Sequence, residues 1–240
     1  MLSNVNIKLN HEATCRIPLA RVTLVGGLLK GVNPLIIEAI AQEVRKTNPN
    51  ANTILAETRM TQSQLFQQYQ LIAQADCVEL ILLPFLHLAR ESILGISCTD
   101  QVNQTILIHR KNQPDEELHN ASHVLQRLAM MVFNLVNERI LLVSEIENGL
   151  HHISYKILWI HIIEFTRLLN AQVIATTHSL EMITVFAKNT EKFEDFYGCV
   201  GYYVEIANKA KTDELIGIKY APETILYAIA REQGIRGEPI

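Results

Sequence analysis

Two stretches of the sequence decide the fold: Ile140-Leu-Leu-Val-Ser-Glu145-Ile-Glu147-Asn-Gly-Leu-His-His152 and Val173-Ile-Ala-Thr-Thr-His178-Ser179. Each starts with a short apolar run and changes abruptly to polar residues, which is typical of a buried parallel strand that ends at a site. The helical pattern between them is long enough for the crossover that parallel strands require. Because ligands of such sheets bind at the carboxyl ends of the strands, we predict that Glu145 and His178 lie together at one edge. This layout is typical of a nucleotide-hydrolysing core.

The composition indicates a globular protein with a large core. The chain has 240 residues, 48% of them hydrophobic and 19% charged, which suits one domain and excludes a disordered chain. A formal net charge of −4 argues against a general electrostatic footprint for DNA or an anionic membrane. The cysteines are scattered without a C-x-x-C pair, and the chain does not begin with a basic stretch followed by an apolar run. We therefore expect a cytoplasmic protein with reduced thiols and no membrane span.

Hydrophobic periodicity predicts alternating strands and helices along most of the chain. The expected strands lie at 5–9, 21–25, 105–109, near 140 and near 173, followed by a closing hairpin at 199–206 and 215–220. The expected helices lie at 34–45, across most of 61–94, at 124–137, around 153–169, from His178 to about Ala187, and at 222–232. The loops at 47–52 and 111–117 are assigned from their polar composition.

Three spaced segments resemble the ABC-class branch of the AAA-family ATPases. This branch includes the ATPase half of overcoming-lysogenization-defect nucleases and many bacterial phage-defence ATPases. In that family a strand ending in Asp-Glu continues as Ile-Glu-Asn-Gly-Leu-His, and residues 144–151 here read Ser-Glu-Ile-Glu-Asn-Gly-Leu-His. The family's later strand ends in Ala-Thr-Thr-His-Ser, as residues 175–179 do here, and the tail at 221–237 also resembles the family's end.

The resemblance implies an α/β fold of the P-loop NTPase type, ABC ATPase-like, in which helices flank a largely parallel sheet and an antiparallel strand region lies near the N-terminus. It covers nearly the whole chain, so residues 1–240 are expected to form a single ATPase-like domain with a variable helical middle region at 47–117. Glu145 matches the family's general base, which orients the attacking water, and His178 matches its γ-phosphate sensor. ATP and Mg²⁺ are the ligands that the resemblance implies. It also implies a dimer, because a second subunit completes each site with its signature motif.

The front of the chain matches this family in spacing but not in chemistry. The family has a Gly-Gly strand end, matched by Gly26-Gly27, and then a phosphate loop that ends in Gly-Lys-Thr or Gly-Lys-Ser. Counting from there to the family's helix motif, found here as Glu38-Ala39-Ile40, places Val32, Asn33 and Pro34 at those three loop positions.

The resemblance assigns two further positions where the residue type has changed. The family's Gly-acidic-Gly signature falls on Ser122-His123-Val124, and Ser144 stands where the Asp on the magnesium side should be. We take Ser122 and His123 as a degenerate signature and Ser144 as a degenerate magnesium position.

The changed loop residues remove the groups that grip a triphosphate. A phosphate-loop Lys neutralises the phosphates and a Ser or Thr binds Mg²⁺, whereas Asn33 has no charge and Pro34 has neither hydroxyl nor N–H. Charge-assisted hydrogen bonds contribute roughly 1.5–3 kcal/mol each. Losing two of them weakens binding by roughly 10²–10⁴-fold. Lys30, inside the loop, is the residue that would restore charge. Asn33 and Pro34 nevertheless form a good helix start, with Asn33 as the capping residue.

Two functions follow from this pattern. The first is a degenerate ATPase that acts as a regulatory or structural subunit, in a homodimer or in a heterodimer with an active ATPase paralogue or an effector. ATP and Mg²⁺ would then bind weakly or not at all. The alternative is an active ATPase of a phage-defence or DNA-associated system that uses an atypical loop with Lys30 and Glu145. In either case, we expect contact with nucleic acid only through a partner.

Each site residue also has a plain structural interpretation. Glu145 is equally well explained as a partly buried acid that holds a loop, and His178 as a structural hydrogen-bonding residue. We expect Glu147 and Asn148 to cap or orient the helix near 153. The pair His151-His152 is taken as loop, because adjacent residues point apart and a third metal ligand is not evident.

Overall fold

The computed structural model describes residues 1–8, 14–27, 33–49, 51, 53–55, 58–99, 104–197, 201–208 and 215–231, without the side chains of 8, 14, 33, 194–197, 208 and 215. The strands are β1 (Asn4–Lys8), β2 (Thr14–Pro18), β3 (Val22–Gly27), β4 (Thr53–Ile54), β5 (Ile93–Cys98), β6 (Ile106–Arg110), β7 (Glu116–Glu117), β8 (Ile140–Val143), β9 (Gln172–Thr176), β10 (Gly201–Asn208) and β11 (Leu215–Tyr220). The helices are α1 (Asn33–Arg45), α2 (Gln62–Gln74), α3 (Leu83–Leu86), α4 (His123–Phe133), α5 (Tyr155–Leu168), α6 (Leu180–Tyr197) and α7 (Pro222–Ala230).

A mostly parallel sheet forms the centre of the fold. In the described ranges its strand order is β11–β10–β3–β9–β8–β4, and every neighbouring pair is parallel except β10–β11. All residues of β8 and β9 are buried, as expected of strands covered on both faces. The predicted α/β class and largely parallel sheet are therefore confirmed, and so is the closing hairpin, which β10 and β11 form.

The two faces of the central sheet carry two separate apolar cores. Side chains alternate between the faces of a strand, so Leu141 and Val143 of β8 pack into one core while Ile140 and Leu142 pack into the other. The first core is formed with helices that include α2, α4, α5 and α6. The second core is formed with α1 and the β1–β2 pair. This double packing fixes the register of the strands whose ends form the candidate site.

Two antiparallel sheets accompany the central one. Strands β1 and β2 form the N-terminal pair, which confirms the antiparallel region expected there. Strands β5, β6 and β7 form the second, with a register irregularity between Ile93 and Gly95. The sequence did not predict β2 or β4, and it placed β7 in the loop at 111–117. It assigned only the first two residues of β5 to the helical region 61–94. That region is helical only as far as Ala89. Pairing with β6, rather than local periodicity, makes 93–98 a strand.

Several element ends also differ from the predicted ones. Helix α1 starts at Asn33, so Pro34 is its second residue. Helix α4 starts at His123 and continues beyond Phe133 as a π-helical turn, Asn134–Glu138. Helix α6 extends to Tyr197 rather than ending near Ala187. Its second half looks polar in sequence, but Thr190 is buried there and its hydroxyl donates to the Phe186 carbonyl oxygen.

The length and apolarity of the described helices bear on their ability to cross a membrane. None of them alone has both the length and the apolarity to cross a membrane, whereas Gln62–Gln74 and Val78–Ala89, bent by 107° relative to each other, meet that test together by length and composition.

Candidate functional site

The carboxyl ends of the parallel strands meet at one edge of the central sheet. Strand β9 lies between β3 and β8, and the three strands run in the same direction. Ser144 and Glu145 follow β8, while Thr177 and His178 follow β9. The amide of Glu145 donates to Thr176 Oγ1 at 3.0 Å, which joins the two strand ends. The arrangement expected from the sequence, with Glu145 and His178 beyond adjacent strands, is thus present.

Glu145 has an unusual backbone conformation. Its φ is +49°, in the left-handed region that residues other than Gly seldom adopt and that costs roughly 1–2 kcal/mol. Three backbone contacts hold it there: its amide donates to Thr176, and its carbonyl oxygen accepts from the Asn148 amide at 2.8 Å and from Arg127 Nη2 at 3.0 Å. The carboxylate is left half-exposed at the sheet edge.

Arg127 is a buried cation on α4 that supports this edge of the sheet through hydrogen bonds to backbone carbonyl oxygens. It is 2% exposed and donates from Nη1 to the Leu55 carbonyl oxygen at 2.9 Å. Its Nη2 donates to the carbonyl oxygens of Ser144 and Glu145. Burial lowers the pKa of Arg127 to about 10, although the carboxylates of Glu145 and Glu147 act in the opposite direction. Arg127 therefore ties the ends of β4 and β8 to α4.

Glu147 links the loop after β8 to the end of β9. Its Oε1 accepts from Thr177 Oγ1 at 2.8 Å and from the amide of His178 at 3.3 Å. Glu147 and Asn148 were predicted to cap or orient the helix near 153, and the capping role is wrong for Glu147, because its carboxylate is engaged by Thr177 and His178 just past β9. The cap of that helical segment is His151, whose Nδ1 accepts from the Ile153 amide at 3.4 Å.

His178 and Ser144 differ sharply in accessibility. The side chain of His178 is exposed at the sheet edge, where a ligand would meet it. Ser144 is only 1% exposed, and its amide donates to the Ile54 carbonyl oxygen at 2.9 Å. Ser144, which was predicted to stand at a degenerate magnesium position, is thus buried between strand ends.

Gly26, the first residue of the Gly-Gly pair, has a packing role that the sequence did not reveal. A Cβ at Gly26 would lie 2.5 Å from the hydroxyl oxygen of Tyr203, a side chain of β10 that is 3% exposed. Gly26 is thus required by its neighbour in the sheet, whether or not a phosphate binds nearby. Gly27 ends β3, whereas Lys30 and the side chain of Asn33 lie outside the described residues. The capping role predicted for Asn33 stays a prediction.

Residues 122–124, to which the resemblance assigns a degenerate signature, form the start of α4. Ser122 is the N-cap residue: its Oγ accepts from the Leu125 amide at 3.4 Å and donates to Glu91 Oε1 at 2.9 Å. His123, the first residue of the helix, is half-buried. A Cβ at Gly149 would lie 2.8 Å from Cγ2 of Val124, so α4 packs against the loop that follows β8. Residues 122–124 therefore support, from within the same chain, the strand-end site that Ser144, Glu145, Thr177 and His178 form.

The described ranges contain no group of three or more His, Cys, Asp or Glu side chains that could hold a metal ion. The rings of His151 and His152 lie 4.3 Å apart between centroids, so the expectation that these adjacent side chains point apart is wrong. His152 also begins a 3₁₀-helical turn, His152–Ser154, rather than lying in a loop.

Arg127 is the important site residue that sequence analysis missed. A signal for it exists, since Arg127 lies inside the otherwise apolar helix predicted at 124–137. Where such a helix buries a charged residue, the charge needs hydrogen-bonding partners.

Comparison of the fold with solved structures gives three informative matches. The SMC head domain from Thermotoga maritima has a TM-score of 0.51 at 10% identity, covering 91% of this chain and 98% of that one. The match to cbiO1 from Clostridium perfringens, part of the ABC transporter complex cbiONQ, has a TM-score of 0.53 at 11% identity. It covers 95% of this chain and 93% of that one. The match to an SmcHead bound to the C-winged helix domain of ScpA has a TM-score of 0.55 at 9% identity. It covers 92% of this chain and 98% of that one.

Sequence comparison adds no closer relative. No protein-family model matches the chain, and no curated protein matches it. The structural likeness therefore establishes the fold, which is that of the ABC-class ATPases, with a mostly parallel central sheet flanked by helices.

Proposed function

We propose that the chain is a degenerate ATPase of the ABC class, which keeps the ATPase fold but binds and hydrolyses ATP weakly or not at all. The end of β8 carries this proposal. Ser144 takes the position that the resemblance gives to an Asp on the magnesium side, and it is 1% exposed. A buried hydroxyl supplies neither the negative charge nor the accessible oxygen that Mg²⁺ requires.

The other groups at the site do not replace this anchor. At the start of α1, Asn33 and Pro34 carry neither the cation nor the hydroxyl of a phosphate loop. Arg127, the cation next to the strand ends, is buried and directed to backbone carbonyl oxygens. The residues present do not fit a magnesium–triphosphate complex.

A chain that has lost its own site can still act through its surface. A regulatory or structural subunit fits these observations, in a homodimer or in a heterodimer with an active ATPase paralogue or an effector. In one of the similar structures, an SmcHead is bound to the C-winged helix domain of ScpA, so a related fold accommodates a partner domain. We propose that any contact with nucleic acid comes through such a partner.

Repair of the site is the decisive experiment. The variant carrying Val32→Gly, Asn33→Lys, Pro34→Thr and Ser144→Asp restores the loop and the magnesium ligand together. Isothermal titration with MgATP is expected to give no measurable binding for the natural chain and clear binding for the repaired one, since the restored groups are worth roughly 10²–10⁴-fold in affinity. A matched control keeps the first three changes and leaves Ser144 in place. Tight MgATP binding by the natural chain would contradict the proposal.

One observation favours the alternative of a working ATPase. The strained backbone of Glu145 is held by several contacts, and such strain concentrates at functional sites. In that case Lys30 would supply the phosphate charge and Glu145 would orient water, within a phage-defence or DNA-associated system. ATP turnover that Glu145→Gln and Lys30→Ala each abolish would establish this alternative, whereas the degenerate site predicts no turnover to abolish.

A further inference from the structure

Three side chains of the second antiparallel sheet form a continuous hydrogen-bonded row. Ser97 lies on β5, His109 on β6, and Asp115 in the loop between β6 and β7. Ser97 Oγ lies 2.7 Å from His109 Nε2, and His109 Nδ1 lies 2.9 Å from Asp115 Oδ1. The two ring nitrogens of His109 are thus each engaged by a different partner.

The order of these contacts is that of a nucleophile, a base and an orienting carboxylate. The carboxylate of Asp115 fixes the tautomer in which Nδ1 carries the hydrogen, which leaves Nε2 as an acceptor for the Ser97 hydroxyl. Such triads occur on unrelated folds and are recognised by geometry and roles rather than by sequence position. None of the three residues belongs to the strand-end site.

The surroundings leave the row open to a small molecule. Ser97 is half-buried, while the side chains of His109 and Asp115 are 36% and 49% exposed. Gly95, paired with His109 across the strands, has no side chain, and a Cβ there would meet only His109, at 3.9 Å. The reacting hydroxyl is therefore not covered from that side.

The register of β5 against β6 also bears on the backbone amide of Cys98, the residue after Ser97. The Thr99 amide donates to the carbonyl oxygen of Thr105, toward β6. The Leu118 amide donates to the carbonyl oxygen of Ile106. Because hydrogen-bonded pairs alternate along an antiparallel ladder, the amide of Cys98 is directed away from β6, toward the outer edge of β5. The residue after the nucleophile commonly supplies a hydrogen-bond donor for the oxyanion in serine hydrolases.

We propose that Ser97, His109 and Asp115 form a second site, separate from the strand-end site, that accepts acyl groups from small activated esters. His109 Nε2 takes the Ser97 proton as Oγ bonds to the ester carbonyl carbon. The carbon–oxygen bond to the alcohol then breaks, and His109 returns the proton to the departing oxygen. Water next attacks the acyl carbon, again through His109, and Ser97 regains its proton. The products are one carboxylic acid and one alcohol.

The test uses the whole chain and p-nitrophenyl acetate. Peptide mass mapping follows acetylation of Ser97 against that of Ser92, an exposed serine in the same molecule. General-base assistance is worth about 10²-fold or more, so Ser97 is expected to acetylate about 10²-fold faster than Ser92. This comparison within the natural chain does not depend on any variant folding. Equal rates at the two serines would overturn the proposal.

Variants then assign the roles. His109→Gln keeps a hydrogen-bonding side chain but removes the base, and it is expected to bring Ser97 down to the rate of Ser92. Asp115→Asn is expected to give a smaller loss, and Ser92→Ala no change in acetylation of Ser97. Circular dichroism melting confirms that each variant folds. If His109→Gln folds and leaves the Ser97 rate unchanged, the base assignment is wrong and the proposal fails.

Discussion

Arg127 donates a hydrogen bond to the carbonyl oxygen of Glu145 across 3.0 Å, so a buried cation from one helix fixes the backbone of an acid at a strand end. The same guanidinium also bonds to the carbonyl oxygens of Leu55 and Ser144. The shape of the strand-end site thus depends on a residue that does not itself face the site.

Replacing Arg127 by Met should destabilise the fold strongly. The apolar side chain keeps much of the volume but removes a donor from three carbonyl oxygens near the core, and each unsatisfied buried group costs about 1–3 kcal/mol. We expect a loss of about 2–4 kcal/mol in the free energy of unfolding, measured by urea denaturation. Arg127→Lys should lose less, because it keeps the charge but not the fork of donors. A midpoint unchanged by Arg127→Met would show that the three contacts contribute little.

Gly149→Ala should destabilise the loop that follows β8. Gly149 has a φ of +81°, and an added Cβ would meet Val124 Cγ2 at 2.8 Å. Backbone strain alone costs about 1–2 kcal/mol, and the contact with Val124 adds to it. The double variant with Val124→Ala should recover the contact part of the loss but not the strain.

Gly95→Ala is the matched control for that change. A Cβ there meets no atom closer than His109 Cδ2 at 3.9 Å. We therefore expect a change within about 0.5 kcal/mol, or a slight stabilisation, by the same denaturation measurement. Equal losses at Gly149 and Gly95 would mean that neither the positive φ nor Val124 matters.

Ser144→Asp on its own should lower stability in the absence of ligand. Ser144 is 1% exposed, and burying a carboxylate costs several kcal/mol unless a cation offsets it. Arg127 is close enough to bond to the Ser144 carbonyl oxygen, so part of that cost is offset. We expect a lower melting temperature for the single variant by calorimetry. Addition of MgCl₂ and ATP should raise the melting temperature of the fully repaired chain more than that of the single variant.

His161 should make stability fall in mild acid. Its ring lies 5.5 Å from that of Phe165 and 5.9 Å from that of Phe85, between centroids. Burial lowers the pKa of His161 below its usual value of 6.5, and Glu164 opposes this shift. The unfolded chain therefore binds a proton more readily than the folded one, so stability present above pH 6.5 is lost as the pH falls toward the folded pKa. In urea titrations, His161→Phe should lose less free energy of unfolding between pH 7.5 and pH 5 than the natural chain does. If the free energy of unfolding changes equally with pH in the two chains, this role of His161 is refuted.

The sequence was most informative where burial dictates the pattern. The apolar runs of β8 and β9 end abruptly, so both strands and the shared edge that brings Glu145 and His178 together were predictable. Strand β5 was not, because Ile93–Cys98 has no clean alternation and becomes a strand only through pairing with β6. The true partner of Glu147 was hidden for a similar reason: Thr177 follows β9, 30 residues further along the chain.

Side-chain networks were the least predictable part. Arg127 stands out in sequence as a charge in an apolar helix, but its three carbonyl partners come from two separate strand ends. The row of Ser97, His109 and Asp115 depends on the register of β5 against β6, which includes an irregularity that periodicity does not reveal. Such contacts follow from strand register, which a single sequence specifies only weakly.

The packing of Tyr203 against Gly26 changes how related sequences should be read. Since a Cβ at Gly26 would lie 2.5 Å from the hydroxyl oxygen of Tyr203, a chain that keeps Tyr at this point of β10 favours Gly at position 26, even after every nucleotide-binding group has disappeared. A Gly-Gly pair in such a chain then reflects packing in the sheet rather than nucleotide binding. The lysine and the hydroxyl residue that follow the pair are better guides to a working ATPase.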